Sequence, residues 1–315
     1  MVNEKKNIKV EILRILYLAK GETISGVNLS DSLNISRVAV WKHIKALKKS
    51  GVDVESRPMG YGLLNHDDLL LPFCFKEEFQ KKIFHFQELE TTMDKAKFLA
   101  KDNVPHLSVV IAENQIKGRG RLNRKWVSAK GGLWVTLILK PDTPPPLAYI
   151  YNFAASLSLS KSLKGLFDVN VSVKWPNDLL LNGKKLAGLL SEMETRGDMV
   201  EFLNIGIGIN VNNQPQKKEP KAISLKDVLH KKVSRRLILE TFLDDFKNQI
   251  QKINCPRIIE QWKKQTSTIG SQVRIETLTD FYEGLAVDVD ETGALLIKNT
   301  TGEIKKIIYG DCFHT

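Results

Sequence analysis

The stretch QIKGRGRLNRKW, from Gln115 to Trp126, packs five basic side chains and two glycines into twelve residues. Gly118 and Gly120 would let backbone N–H groups approach an anion closely. Arg119, Arg121 and Arg124 carry planar forks suited to carboxylate or phosphate, and Trp126 offers a flat face to a heteroaromatic ring. The same composition also suits a basic arm gripping nucleic acid. A second group lies in VKWPNDLLLNGKKLAGLL, where Lys174, Asn177, Asp178 and Lys185 gather around a proline-bounded turn. An aspartate beside lysines suggests a Mg2+ site with cations for the phosphates, Asp178 being the metal-side group. Taken alone, either group reads equally well as a solvated basic loop. Neither matches a P-loop or a Rossmann fingerprint, and no Ser-His-Asp or Cys-His set offers a covalent nucleophile. The remaining chemistry is activation of a carboxylate by a nucleotide, by positioning and charge neutralisation.

These groups need a sheet to hold them. The pattern gives a helix from about Thr92, capped by Thr91 or Thr92, then the strand SVVIAENQ leading into the basic stretch. GGLWVTLILK returns as a second strand, which PDTPPP stops before a long Ser/Ala-rich helix. Four strand-like runs follow, VNVSVKW, DLLLN, KKLAGLLSEME and MVEFLNIGIGIN. Asn182-Gly183 and Arg196-Gly197-Asp198 mark the hairpin turns. Gly188, Gly206 and Gly208 sit inside strands, where a glycine marks a bulge or a close approach to the backbone. Three on neighbouring strands argue for a pocket floor. The edge of this sheet near GGLWVTLIL is the expected self-association surface.

At 315 residues the chain suits two or three domains. With 42% hydrophobic and 26% charged residues it is of ordinary globular composition. A formal net charge of +11 favours phosphate-rich partners without selecting one. Cys74, Cys255 and Cys312 lack the spacing of a disulfide framework or a zinc site. MVNEKKNIKV has no apolar core of a signal peptide, and LLLPFCF and GLWVTLIL are too short to span a membrane. A cytoplasmic location with no membrane partner is the expectation.

The N-terminal residues carry a separate pattern. Ile8, Ile12, Ile15, Leu16 and Ala19 recur at helical spacing, and Gly21 ends the helix. GVNLSDSL after Ser25 makes a second helix, Asn34 the turn, and Ser36 the cap of RVAVWKHIKALKKSG. VDVESRPMGYGLL then reads as a two-stranded wing. This is a winged helix-turn-helix, with the motif at about residues 26–45. Ser36, Arg37, Lys42, Lys45 and Lys48 are its candidate DNA contacts, Arg37 at a base edge or phosphate and the lysines mainly at phosphates. A small helical domain with a solvated basic face is the alternative. LLLPFCFKEEF reads as a linker into the next domain.

GRGRLNRKW, KWPNDLLLNGKKLAGLL and GIGIN, in that order, resemble the bacterial biotin–protein ligases, and the N-terminal motif makes the chain similar to their bifunctional ligase/biotin operon repressor form. The resemblance implies an α+β chain of three domains. These are a winged helix-turn-helix (1–66), a class II synthetase-like catalytic domain with a mixed sheet (67–268) and an SH3-like barrel (269–315). It implies that biotin and ATP form biotinyl-5′-adenylate, with Mg2+, and that biotin then passes to a lysine of the biotin carboxyl carrier protein of acetyl-CoA carboxylase. Operator DNA of biotin genes and an adenylate-bound homodimer are the other implied partners. By resemblance, Thr91, Thr92, Met93 and Gln115 contact biotin, and Gly118, Arg119, Gly120 and Arg121 close over biotin and the adenylate. Trp126 packs at the adenine and Arg124 lies near the phosphates. Lys185 neutralises carboxylate and phosphate charge, with Arg121 and Asp178 the other catalytic groups and Asn177 a polar one. Gly188, Gly206, Gly208 and Asn210 line the floor. Met93 departs from the best-known bacterial pattern, which has Asn there. The tail to Thr315 shows no basic residue to assign to the nucleotide. The rival readings are a ligase with a non-regulatory N-terminal domain and a ligand-sensing transcription factor without ligase activity.

Overall fold

The computed structural model describes residues 7–64, 66–251 and 253–314, so Met1–Lys6 and Thr315 lie outside it. The N-terminal unit comprises α1 (Ile8–Leu18), α2 (Gly26–Leu33), α3 (Arg37–Lys49), β1 (Val54–Arg57) and β2 (Gly60–Leu63). Ser25 and Ser36 cap α2 and α3, each hydroxyl accepting from a backbone N–H three residues on, at 3.0 and 3.1 Å. Asn34 takes the left-handed conformation that closes α2. Ile12, Leu16, Leu29, Val40, Ile44 and Leu47 form its core. The wing is an antiparallel pair, Val54 facing Leu63.

The stretch 66–80 is not a loose linker. Its apolar residues divide between two cores. Leu71 and Cys74 pack with the helical unit, while Leu70, Phe75 and Phe79 pack with the large unit that follows. A short helix, α4 (Glu77–Gln80), closes this junction.

The central unit runs β3 (Ile83–Leu89), α5 (Thr92–Lys101), β4 (Ser108–Gln115), β5 (Leu133–Leu139), α6 (Tyr149–Phe167), β6 (Val171–Lys174), β7 (Asp178–Leu181), β8 (Lys184–Arg196) and β9 (Met199–Ile209). Its seven strands lie in the order β3-β4-β5-β9-β8-β7-β6, with β3 and β4 parallel and the other neighbours antiparallel. Three helices follow, α7 (Leu225–Leu229), α8 (Arg235–Gln251) and α9 (Cys255–Gln265). One face of the sheet carries α5, through Ala96, Leu99 and Ala100 against Val110, Ile138 and Phe202. The other face packs on α6, α8 and α9. Every residue of β5 is therefore buried. That corrects the expected interface, because β5 lies between β4 and β9 and has no free edge.

The last unit is a five-stranded antiparallel sheet, β10 (Gln272–Glu276), β11 (Phe281–Val289), β12 (Leu295–Lys298), β13 (Ile304–Ile307) and β14 (Asp311–His314). Its order is β13-β12-β11-β10-β14, and Val273, Ile275, Leu295 and Ile297 join the core of the central unit. Among the described residues no helix is long and apolar enough to cross a membrane. All three cysteines are free.

Candidate active site

One cavity of about 1010 Å³ opens over the middle of the sheet. Thr91, Thr92, Met93, Gln115, Arg119, Gly120, Arg121, Arg124, Trp126, Asn177, Asp178, Lys185, Gly188, Gly206, Gly208 and Asn210 all line it. Of the residues expected in the ligand site, Gly118 alone does not. A Cβ on Gly118 would stand 2.4 Å from the Ser128 hydroxyl and 2.6 Å from the Trp126 carbonyl, so this glycine serves the folding of the loop on itself.

The first wall is the N-terminus of α5 against the end of β4. Thr91 caps the helix, its hydroxyl accepting from Met93 N–H at 3.2 Å. Gln115 Oε1 accepts from the backbone N–H of Thr92 at 2.7 Å and from its hydroxyl at 3.1 Å. Gln115 Nε2 donates to Ser128 Oγ at 2.7 Å, and Thr136 donates to Thr92 Oγ1 at 2.8 Å. Thr136 and Ser128 join this set without any local sequence signal that marks them.

The basic stretch is a tight loop, held by Gly120 N–H to Arg124 O and Trp126 N–H to Gly118 O, at 2.7 and 2.9 Å. Its arginines point three ways. Arg119 bonds Asp94 at 2.7 Å and both oxygens of Glu192 at 3.1 Å. Burial works against its charge, but these two carboxylates outweigh burial and raise its pKa. Arg121 turns inward and donates to Gly310 O at 3.1 Å. Burial pulls its pKa down, against the pull of Asp311 and Asp178. Arg124 pairs with Asp311 at 2.7 Å and lies 5.7 Å from the centre of the Phe313 ring. The loop is thereby fastened to the C-terminal sheet, and Asp311, Cys312, Phe313 and His314 border the cavity. The sequence assigns no nucleotide contact to this tail, and its strand β14 brings an acid, Asp311, and an aromatic ring, Phe313, to the cavity. Burial first, then Lys174, pushes the His314 imidazole down, and burial pushes the Cys312 thiol up to about 11.

The floor comes from β8 and β9, where Gly188 faces Gly208 across the strand pair. A Cβ on Gly208 would lie 2.6 Å from Trp126 Nε1, and one on Gly188 would lie 3.0 Å from Trp126 Cζ3. A Cβ on Gly206 would lie 2.7 Å from Met93 Sδ. These strands thus have no side chains where the indole and the thioether lie. Met93 is buried there and fills the space by packing.

The β7–β8 hairpin turns through Asn182 and Gly183, both at positive φ, 52° and 72°. It sets Lys185 Nζ 2.7 Å from Asp178 Oδ1 and 5.1 Å from the centre of the Trp126 ring. Asn177 is tied to β8, its side-chain Nδ2 donating to Leu189 O and its backbone carbonyl accepting from Leu189 N–H. Asn210 is likewise buried, its Oδ1 accepting from Asn213 Nδ2 at 2.8 Å. Among the described residues no group of three His, Cys, Asp or Glu side chains forms a metal cage. Asp178, Glu219 and Asp311 are the carboxylates that border the cavity, Asp178 paired with Lys185 and Asp311 with Arg124.

On the N-terminal unit, Arg37, Lys42, Lys45 and Lys48 are exposed along α3. Lys45 lies 5.1 Å over the Trp41 ring, and Lys48 donates to Ser56 Oγ of the wing at 2.9 Å. The Ser36 hydroxyl is engaged as the helix cap.

A sheet whose cavity gathers cations, an indole and a glycine floor, beside a winged helix-turn-helix, defines a nucleotide-using acid ligase joined to a DNA-binding module. Residues 84–212 match the Biotin/lipoate A/B protein ligase family, residues 10–62 an HTH domain and residues 268–315 the Biotin protein ligase C terminal domain. The chain belongs to the biotin protein ligase family. It is 34% identical over 322 residues to the bifunctional ligase/repressor BirA of Bacillus subtilis (strain 168), covering 98% of each chain. It is 27% identical to the protein of the same description from Escherichia coli (strain K12), covering 97% of each. A biotin protein ligase from Aquifex aeolicus, solved in complex with biotin and ATP, superposes with a TM-score of 0.65 at 27% identity, over 75% of this chain and all of that one.

Proposed function

We propose that this protein activates biotin with ATP, transfers it to a lysine of biotin carboxyl carrier protein, and represses biotin genes through its N-terminal unit. The observation that carries the reading is the convergence of Arg121, Lys185, Asp178 and Trp126, from three separate segments, on one glycine-floored cavity. In the first step a biotin carboxylate oxygen attacks the α-phosphorus and pyrophosphate leaves. Arg121, Arg124 and Lys185 are the fixed cations that lower the cost of bringing these anions together. In the second step the carrier's ε-amine attacks the acyl carbon, AMP leaves and the amine loses its proton. Lys185, paired with Asp178 in the free protein, exchanges that partner for the carboxylate and phosphate. Mg2+ bound to the nucleotide would meet Asp178 and supply further charge neutralisation.

Thr92, Gln115 and Met93 are the biotin end of the site, and Trp126 with Asn210 the nucleotide end. Arg37 and Lys42 are the leading DNA contacts on α3, joined by Ser36, Lys45 and Lys48. The domain limits proposed are 1–66, 67–268 and 269–315, with 66–80 as a shared junction. An adenylate-bound homodimer in the cytoplasm completes the reading, and the outer half of β8 is a better candidate for its surface than β5. Residues 190–196 of β8 pair with β9 on one side, while β7 reaches only Gly188 on the other. Mass spectrometry of carrier protein incubated with biotin and ATP tests the enzyme, with one lysine gaining biotin as the expected result. A mobility shift on the upstream region of the organism's biotin genes tests the repressor. No shift with biotin and ATP present would leave a ligase with a non-regulatory N-terminal domain.

A further inference from the structure

Among the described residues, an extensively bonded buried charge lies outside the cavity. Arg235, the first residue of α8, is 7% exposed. Its backbone N–H donates to Asp68 Oδ1 at 2.6 Å and its Nε to Asp68 Oδ2 at 3.0 Å. One terminal nitrogen donates to Glu113 Oε2 at 2.7 Å and to Gly132 O at 3.3 Å. His85 Nε2 meets the other Glu113 oxygen at 3.2 Å. Burial alone would raise the Glu113 carboxyl, but His85 and the Arg235 charge overcome it and hold it at about 2.

The three partners of this guanidinium belong to different parts of the molecule. Asp68 stands in the junction that follows the wing. Glu113 is on β4, two residues before Gln115. Gly132 directly precedes β5. The basic loop leaves the sheet after Gln115 and returns at Gly132, so Arg235 grips both of its stems and the DNA-binding unit's tether at once. We propose that Arg235 is a positioning residue that couples the seating of the N-terminal unit to the shape of the ligand loop. A buried guanidinium suits this work, because losing either carboxylate strips hydrogen bonds from a charge that has little water to replace them. By linkage, a ligand that orders the loop must then also favour one seating of the junction. The proposal deepens the ligase/repressor reading and rests on it.

The test alters the junction and reads the loop in the full chain. Asp68→Asn removes the junction's charge from Arg235. Arg235→Lys keeps the charge but loses the fork. Asp244→Asn is the control, since Asp244 pairs with Lys76 of the same junction yet reaches neither stem. Without ligand, Asp68→Asn and Arg235→Lys should speed tryptic cleavage between Lys117 and Lys125 by at least about fivefold, the low end of measured couplings. Both should raise KM for biotin by a similar factor while kcat changes less than about twofold, the signature of lost binding with the chemistry intact. Asp244→Asn should behave as wild type. If Asp68→Asn does not fold, Asp68→Glu, which moves the carboxylate by one methylene, takes its place. Wild-type cleavage rates in a folded Asp68 variant would overturn the coupling. A wild-type protein that cannot use biotin would overturn the enzymatic reading instead, and the cleavage comparison would still decide the coupling.

Discussion

The glycine floor gives a graded prediction. In Gly208→Ala the new methyl would lie 2.6 Å from Trp126 Nε1 and 2.8 Å from Cε2. Ordinary contact begins at 3.4 Å, so the indole must retreat by roughly 0.8 Å from the floor, toward the space a nucleotide would fill. The opposite face of the sheet gives no relief, because Ile207 and Ile209 of β9 are buried there in the core under the helices. Overpacking of this kind costs about 1–3 kcal/mol. Each 1.4 kcal/mol is tenfold in an equilibrium, so KM for ATP should rise by about fivefold to a hundredfold. In Gly188→Ala the nearest indole atom is 3.0 Å away, and a shift of a few tenths of an ångström suffices. The rise there should stay below about fivefold. Biotin-dependent ATP–pyrophosphate exchange, measured against ATP concentration, reads both variants, with circular dichroism confirming that each is folded. Equal effects at the two positions, or an unchanged KM in a folded Gly208→Ala protein, would refute the packing of Trp126 at the nucleotide.

Glu113 has a folded pKa of about 2 against an ordinary 4.5, so its stabilisation is complete above 4.5 and is lost as pH falls towards 2. That contribution is on the order of 3 kcal/mol, and acid titrations of Glu113→Gln should show a flatter loss of stability across this window. Gly165 in α6 has open space around its missing Cβ. Gly165→Ala should therefore raise stability by about 0.5–1 kcal/mol in urea unfolding and leave exchange activity unchanged. Lys42→Ala should weaken binding to specific and random duplexes alike and lower the slope of log K against log salt by about 0.9, one phosphate contact. A loss confined to one DNA sequence would show that Lys42 reads bases.

The basic loop, the KWPND turn and the strand glycines were legible because each breaks the ordinary pattern of its element. The winged helix was legible through its two serine caps and Asn34. What escaped was non-local. α8 shows apolar residues at Ile238, Leu239, Phe242, Leu243 and Phe246, a clear helical spacing, but no chemistry drew attention to it. The partners of Arg235 are more than 100 residues away in sequence, and no local pattern links them. β3 alternates poorly because it is an edge strand with a half-buried face. The interface expected at β5 failed because periodicity reveals a buried strand without telling its neighbours. The tail misled in the opposite way, since the loop supplies the arginines and the tail the acid that receives them.

Activation of biotin in this cavity is the proposal on which the rest depends. The most direct measurement is pyrophosphate exchange into ATP by the intact protein with biotin or lipoate as the only added acid. Exchange is expected with biotin and is expected to be lost in Lys185→Ala. Exchange with lipoate and none with biotin would contradict it.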